Sequence, residues 1–397
     1  MESARKSNKK LFFSLFSLVL VFGLLFIGCT DFSEHTMEAE GEEKQEIPDK
    51  PKPKTETSAL EEINKAANAH TMQIALETYA EPLELDLTVY NMLSQASKTV
   101  TAQYVVTNKT YADEDVVQTA FAAALQAAAT AEKDLSQKFE ITPQDDTGAA
   151  LVEASFNSVH NYIQAGFTAS TTHEQSIIKL GDYIDLPSLS VAGDTDHLTD
   201  PDYGYINETS PLRLIVIGIN SFNDKNGNNT PHVVFHFKNI PGNHKMNGTS
   251  TNTTGYLNST MRNYIINNFL TGLENAGVPD EVLWQPNRIV ASRGDGTPTE
   301  QTITDKLWLP TEREMTNGNS LSVATSETSS NQANFTEYYT NDNARKKSYE
   351  SNNAWYWLAS PKSGSAAIFC YVRANGGGTF YSLANQVGGC VPAFCVQ

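Results

Sequence analysis

Cysteine is scarce in this chain: four residues, at positions 29, 370, 390 and 395 of 397. A disulfide framework therefore cannot organise most of the length, and the last three allow one bridge with one thiol left over. Their spacing matches no zinc pattern and no histidine is close in sequence, which argues against a metal centre. Cys370 and Cys395 fall in apolar, strand-like runs, the usual setting of buried free thiols. Basic residues are also short, with 28 Lys and Arg against 46 Asp and Glu for a net charge of −18. That balance argues against a nucleic-acid partner, which needs a basic face to neutralise phosphates. Large apolar residues are nearly missing from residues 31–58, a stretch rich in Glu, Lys, Pro and Thr. Such a stretch cannot bury enough surface to offset the entropy of ordering it.

What is present begins with a basic N-terminus, Arg5, Lys6, Lys9 and Lys10, followed by an apolar run over residues 11–27 that ends at Gly28-Cys29. Basic, apolar and small residues in this order form a secretory signal. A run of about 17 residues stands at the lower limit for crossing a bilayer. The Gly-Cys pair decides between the two readings, because signal peptidase II cuts before a cysteine whose sulfur carries diacylglycerol. Phe26 stands where Leu is usual in that motif. The expected organisation is a lipoprotein signal peptide at 1–28, lipid on Cys29 as the membrane tether, and a flexible spacer over 29–58 stiffened by Pro48, Pro51 and Pro53. An exported chain with its lipid in the outer membrane and its bulk at the cell surface follows from this reading.

Residues 59–176 read as mainly helical. Leu60, Ile63, Ala66 and Ala67 form an apolar stripe, and residues 116–135 are dense in alanine with no Gly or Pro. Residues 90–106 suit a helix or a strand. His70 and His160 stand alone, and nothing here gathers into a catalytic constellation. From residue 177 the texture changes to short β-branched runs. Residues 212–221 and 233–237 flank an Asn- and Gly-rich turn, so a long hairpin is expected around 223–231. Asn223, Asp224, Asn226 and Asn228 imitate a calcium loop, but the bidentate acid that closes one is missing. A helix is expected over 258–276, where Met261, Ile265, Phe269 and Leu273 repeat every four residues and Gly277 with Pro279 stop it. Residues 282–290 read as one strand. A boundary near 169–177 and a C-terminal core around Trp308, Trp355 and Trp357 complete the expectation, an α+β chain.

Over residues 177–397 the order of motifs resembles a known family. Lys179-Leu180-Gly181-Asp182-Tyr183-Ile184, Met246-Asn247, Gly255-Tyr256 and Ser259-Thr260-Met261-Arg262 come first. Lys306-Leu307-Trp308-Leu309-Pro310 with Glu312 and Glu314 follows, then Trp357 to Pro361, and Val391-Pro392-Ala393-Phe394-Cys395 near the end. Together they resemble the C-type-lectin fold of the formylglycine-generating-enzyme subtype, as used by variable proteins of diversity-generating retroelements. The resemblance implies a receptor or adhesin for a protein or cell-surface ligand, with no cofactor and no catalysis. It also implies a variable region over 355–397, rewritten at template adenines, in which Trp355, Trp357, Ser360, Pro361, Val372, Gly376 and Pro392 to Cys395 are the frame. Ala359 and Val391 depart from the family, which often has Arg at both places, and Cys390 fits a product of variation at an Asn codon. Undiversified exported proteins share this fold, as do formylglycine-generating enzymes, whose chemistry needs a reactive thiol. Calcium-dependent sugar binding is not expected, because the Glu-Pro-Asn and Trp-Asn-Asp signatures do not occur and Gln285-Pro286-Asn287 stands alone.

The residues themselves point to the same segment. Along 367–373, Ile368, Cys370 and Val372 alternate with Ala367, Phe369, Tyr371 and Arg373. Tyr and Arg among Ser, Gly and Asn is the composition of adaptable binding surfaces. The expected ligand-binding residues are Ser363, Ser365, Ala367, Tyr371, Arg373, Asn375, Thr379, Tyr381, Asn385 and Gln386.

Overall fold

Side-chain oxygens placed just before apolar runs start the helices of the N-terminal half. Asn68 forms a capping box with Thr71 ahead of the helix Ala69–Thr78. Ser94 caps Gln95–Thr107, and Asp113 caps Glu114–Ala131. Each cap takes one of the amides that a helix start leaves without a partner. The ambiguous residues 90–106 are resolved by the Ser94 cap and a buried stripe of Ala102, Val105 and Val106. The Thr101 hydroxyl returns a bond of 2.9 Å to the Ser97 carbonyl, so a β-branched residue costs the helix little. The helix Ala149–Gly166 follows.

The computed structural model describes residues 56–142, 148–191, 207–208, 212–224, 226–318, 320–322, 334–349 and 351–397. The expected signal segment 1–28, the lipidation site Cys29 and the spacer up to residue 55 lie outside the described residues. The first helix, Glu56–Lys65, begins inside the stretch expected to be spacer. Among the described residues no helix is long and apolar enough to cross a membrane.

Strands, numbered along the chain, build two main sheets. The first places β1 (Tyr183–Leu186), β4 (Leu212–Ile219), β5 (Val233–Phe237), β17 (Ala393–Val396) and β10 (Leu307–Trp308) side by side, with β7 (Leu283–Trp284) also on β17. The expected hairpin is the β4–β5 pair, and in its turn the Asp224 carboxylate accepts the amides of Asn226 and Asn228 at 2.8 Å each. The second sheet runs β15 (Thr379–Leu383), β14 (Ile368–Val372), β13 (Tyr356–Pro361), β16 (Val387–Cys390) and β6 (Gly242–Lys245). Two-stranded pairs β2 (Leu189–Ser190) with β3 (Asn207–Glu208), β8 (Arg288–Ala291) with β9 (Glu300–Ile303), and β11 (Lys347–Tyr349) with β12 (Asn352–Ala354) decorate them.

Residues 282–290, expected as one strand, are two, β7 and β8, in different sheets. Pro286 lies between them, and proline cannot donate to a ladder. The helix over 260–275 contains a π-turn at Ile265–Phe269. A strict four-residue repeat over-rotates on a 3.6-residue helix, and the wider winding of a π-turn takes back part of that drift. All four repeat residues, Met261, Ile265, Phe269 and Leu273, are buried as a result.

Helical region and sheets share one core. Phe156 of the helix Ala149–Gly166 sets its ring 5.3 Å from Phe235 of β5 and 5.9 Å from Phe394 of β17. Burying one such side chain contributes roughly 1.5–3 kcal/mol. Lys138 forms a buried ion pair with Asp182, just before β1, and the Asp182 carboxylate also accepts the Lys179 amide at 2.8 Å. Residues Lys52–Gln397 accordingly form one compact unit. Trp308 and Trp357 are fully buried, whereas Trp355, expected in the core, is half-buried at the surface of the second sheet.

Of the three histidines buried among the described residues, His232 and His236 lie in this core. Nε2 of His232 accepts the amides of Ser221 and Phe222, so the proton sits on Nδ1, which donates to the Thr230 carbonyl. In His236, Nε2 donates to the Val391 carbonyl at 3.1 Å, leaving Nδ1 to accept the Tyr339 hydroxyl. Burial holds His232 down at about 4, and it holds His236 well below its usual value with help from the nearby Lys347.

Candidate ligand-binding face

The segment 309–314 is the anchor from which the second sheet is hung. Thr311 and Glu314 form a capping box at the start of the helix Glu312–Thr316. Glu314 also forms a two-point ion pair with Arg288 at 2.6 and 2.9 Å, both side chains fully buried, with the guanidinium 4.9 Å from the Trp308 ring. Glu312 has another task. Its buried carboxylate accepts Ser320 Oγ at 2.9 Å, the amides of Leu321 and Ser322 at 3.1 and 2.7 Å, and the hydroxyl of Thr379 on β15. Its amide donates to Ser360 Oγ on β13 at 2.8 Å. One residue thus fixes two strands and the segment 320–322, and sequence reasoning quoted Glu312 only as part of a motif.

Further ties hold the loop over residues 362–367. The Ser363 amide donates to the Leu321 carbonyl at 2.9 Å, the Gly364 amide to the Gly294 carbonyl at 2.7 Å, and Asn252 Nδ2 to the Ile368 carbonyl at 2.7 Å. At the other end of the β14–β15 hairpin, Gly376 has φ +74°, and a Cβ there would stand 1.8 Å from the Asp342 carbonyl oxygen. Only glycine meets both conditions.

Register decides which side chains share a face. Tyr371 pairs with Phe380 and with Trp357, while Cys370 pairs with Tyr381 and Val372 with Thr379 and Tyr356. Because successive residues point to opposite faces, Trp357, Tyr371, Phe380 and Arg373 lie on one face, and Cys370, Val372, Thr379 and Tyr381 on the other. The first set forms an aromatic row. Trp357 is buried and donates its indole N–H to the His244 carbonyl at 3.0 Å. Trp355 leans on it edge to face at 4.8 Å, Tyr371 lies 4.7 Å from Trp355, and Phe380 lies 5.8 Å from Tyr371. The Arg373 guanidinium covers the Phe380 ring at 4.3 Å. Phe380 and Tyr381 are adjacent on the edge strand, yet their rings stack at 4.7 Å, so both curl around the sheet edge. Lys362 then covers the Tyr381 ring at 4.9 Å.

Of the residues expected to bind ligand, none is buried: Ser363, Arg373, Asn375 and Gln386 are exposed, and Ser365, Ala367, Tyr371, Thr379, Tyr381 and Asn385 are partly so. Tyr371, Arg373 and Tyr381 come together with Trp355, Phe380 and Lys362, which the sequence reading did not select. Ser363, Ser365, Ala367, Asn385 and Gln386 gather at one end of the hairpin, where the Ala384 amide meets the Ala367 carbonyl at 2.9 Å. Asn375 stands at the other end, its Oδ1 accepting the Gly377 amide. Residues 379–383 form the edge strand β15. Phe369, which alternation puts on the side of Tyr371, pairs with Pro361 and is fully buried. The signal for Phe380 was its register opposite Tyr371, which needs the turn length and cannot be read from period alone.

Charge is distributed unevenly. From residue 351 to 397 there is no Asp or Glu, and the only bases are Lys362 and Arg373. Neither forms an ion pair among the described residues. The three C-terminal thiols are buried, and burial pushes those of Cys390 and Cys395 up, away from the thiolate. Among the described residues no group of His, Cys, Asp and Glu is placed to hold a metal ion. A separate cleft of about 420 Å³, lined by Ser190, Asn267, Asn268, Thr271, Gly272 and Asn275, carries no titratable group.

Residues 231–397 match a family described as a domain of unknown function, DUF6273. The matched span starts at β5 and contains the whole second sheet. No curated protein and no solved structure matches the chain.

Proposed function

We propose that this chain is an exported lipoprotein, anchored to the outer membrane through Cys29, that binds a protein or other cell-surface ligand through the aromatic and cationic face of its second sheet. The observation that carries the reading is the row of half-buried Trp355 and Tyr371 and exposed Phe380 and Arg373, seated on a sheet whose supporting positions are buried. Phe380 keeps 36% of its surface exposed. Aromatic and Arg anchors of this kind dominate recognition energetics.

The C-type-lectin fold with a diversified end belongs to the same proposal. Supporting it, the quoted motifs coincide with the rigid parts of the frame: Leu307–Trp308 pairs with Ala393 and Phe394, Glu312 and Glu314 are buried anchors, and Gly376 admits no side chain. Between these fixed points Ser363, Arg373, Asn375 and Gln386 are exposed, positions where a change costs stability little. A role in binding rather than catalysis is favoured by the thiols, since a nucleophilic cysteine needs a lowered pKa in an accessible setting. The test replaces Tyr371, Arg373 and Tyr381 by alanine, one at a time, and measures melting and affinity for a ligand selected by display screening. Affinity loss with melting unchanged supports the face. Loss of stability with affinity untouched rules it out.

A further inference from the structure

We propose that this face takes an acidic, extended peptide segment of a partner protein, whose carboxylates are held by Arg373 and Lys362 while its backbone lies along the Phe380–Tyr381 edge. The inference rests on the reading of the face as the ligand site and adds the chemistry of the ligand.

Arg213, Arg262, Arg288, Arg293 and Arg345 each hold an Asp or Glu, at distances from 2.6 to 2.8 Å. Arg373 and Lys362 hold rings instead. From Arg373 to Phe380, Tyr381 and Lys362 the successive separations are 4.3, 4.7 and 4.9 Å. A guanidinium stacked by its plane keeps its edge donors for a two-point contact with a carboxylate. The Lys362 ammonium gives one donor to the Ser363 carbonyl at 3.2 Å and has three in all. Both cations are therefore held in place with donors to spare, and neither forms an ion pair among the described residues.

Spacing selects the form of the ligand. Side chains on one face of an extended peptide recur at about 7 Å and 13 Å, for residues two and four apart. A pair of acids at such a spacing reaches both ends of a stack with three steps of 4 to 5 Å, and a lone carboxylate reaches only one end. Aromatic rings between the cations supply contact area for the intervening side chains. A second copy of this chain would bring two more cations against these two, which opposes self-association through the face. Asp342 and Glu312, which lie against the same hairpin, are already engaged, by Arg345 and by Ser322 and Thr379, and salt screens more distant charge beyond about 8 Å.

The test uses the full chain and fluorescence anisotropy with labelled peptides of alternating Glu and Ser, alternating Gln and Ser, and alternating Lys and Ser, with a heparin oligosaccharide as competitor. The Glu-Ser peptide is expected to bind, to weaken several-fold as salt rises, and to lose about tenfold in affinity in each of Arg373→Gln and Lys362→Gln. Lys98→Gln, which removes a cation over Tyr90 in the helical region, leaves binding unchanged. Melting temperature stays constant in all three variants. Equal binding of the Gln-Ser peptide, no effect of either face variant, or stronger binding of heparin than of the Glu-Ser peptide overturns the proposal. If a screened neutral or basic ligand depends on Tyr371 while the Glu-Ser peptide does not bind, the face stands and the acidic ligand falls. If the Glu-Ser peptide binds but ignores both Tyr371→Ala and Arg373→Gln, the face itself is misplaced.

Discussion

The indole of Trp355 lies against Gly388: a Cβ added to that glycine would stand 2.3 Å from the ring. A bare backbone on the parallel-paired strand β16 is what lets a half-buried tryptophan settle between Trp357 and Tyr371. Gly388→Ala is expected to lift the indole off the sheet and separate it from Tyr371. The cost should be about 1–3 kcal/mol, as for other overpacked sites. Tryptophan fluorescence and near-ultraviolet circular dichroism would report the displacement, and an unchanged spectrum would contradict it.

The Arg288–Glu314 pair supports the frame from beneath. Glu314→Ala leaves a fully buried guanidinium without its counter-charge and undoes the capping box with Thr311. A loss of about 3–5 kcal/mol is expected in urea denaturation. Replacing both partners by apolar residues of similar volume should recover most of it, since the desolvation penalty disappears with the charges.

His232 gives stability a defined acid dependence. Its folded value, about 4, lies below the ordinary 6.5, so the unfolded chain takes up the proton first as pH falls. Stability is complete above about pH 6.5 and declines through the window from there to about 4, by on the order of 3 kcal/mol. His236, also lowered by burial, acts in the same direction. Chemical denaturation at a series of pH values should show the decline, and His232→Gln should reduce it.

Because Phe156 packs on Phe235 and Phe394, the helical region and the sheets should unfold together. Helical circular dichroism and tryptophan fluorescence are expected to give one coincident transition. Phe156→Ala should lower it by about 3–5 kcal/mol. Two separated transitions would mean that the shared core contributes little.

Anchoring makes the simplest demand. The chain fractionated from cells should carry diacylglycerol on Cys29 and lack residues 1–28 by mass spectrometry. Cys29→Ser should leave it unprocessed, and normal processing with membrane association in that variant would refute the lipid anchor.

Local chemistry was enough for much of this architecture. A cap followed by an apolar stripe marks a helix, so Ser259 announces the one that begins at Thr260, whereas the run after Ser94 suits a strand as well and was decided by its packing. Alternating β-branched runs flanked by Asn and Gly mark the β4–β5 hairpin for the same reason, because turn and strand preferences act over a few residues. Tertiary structure alone decided the rest. Register placed Tyr371 and Phe380 on one face and buried Phe369, since that depends on which strands pair and by what offset. It also brought Lys362 over Tyr381 and the Glu312 carboxylate to the Thr379 hydroxyl, 67 residues away in sequence. Contacts at such separations are fixed by the packing of whole sheets, and no periodicity in a single segment encodes them.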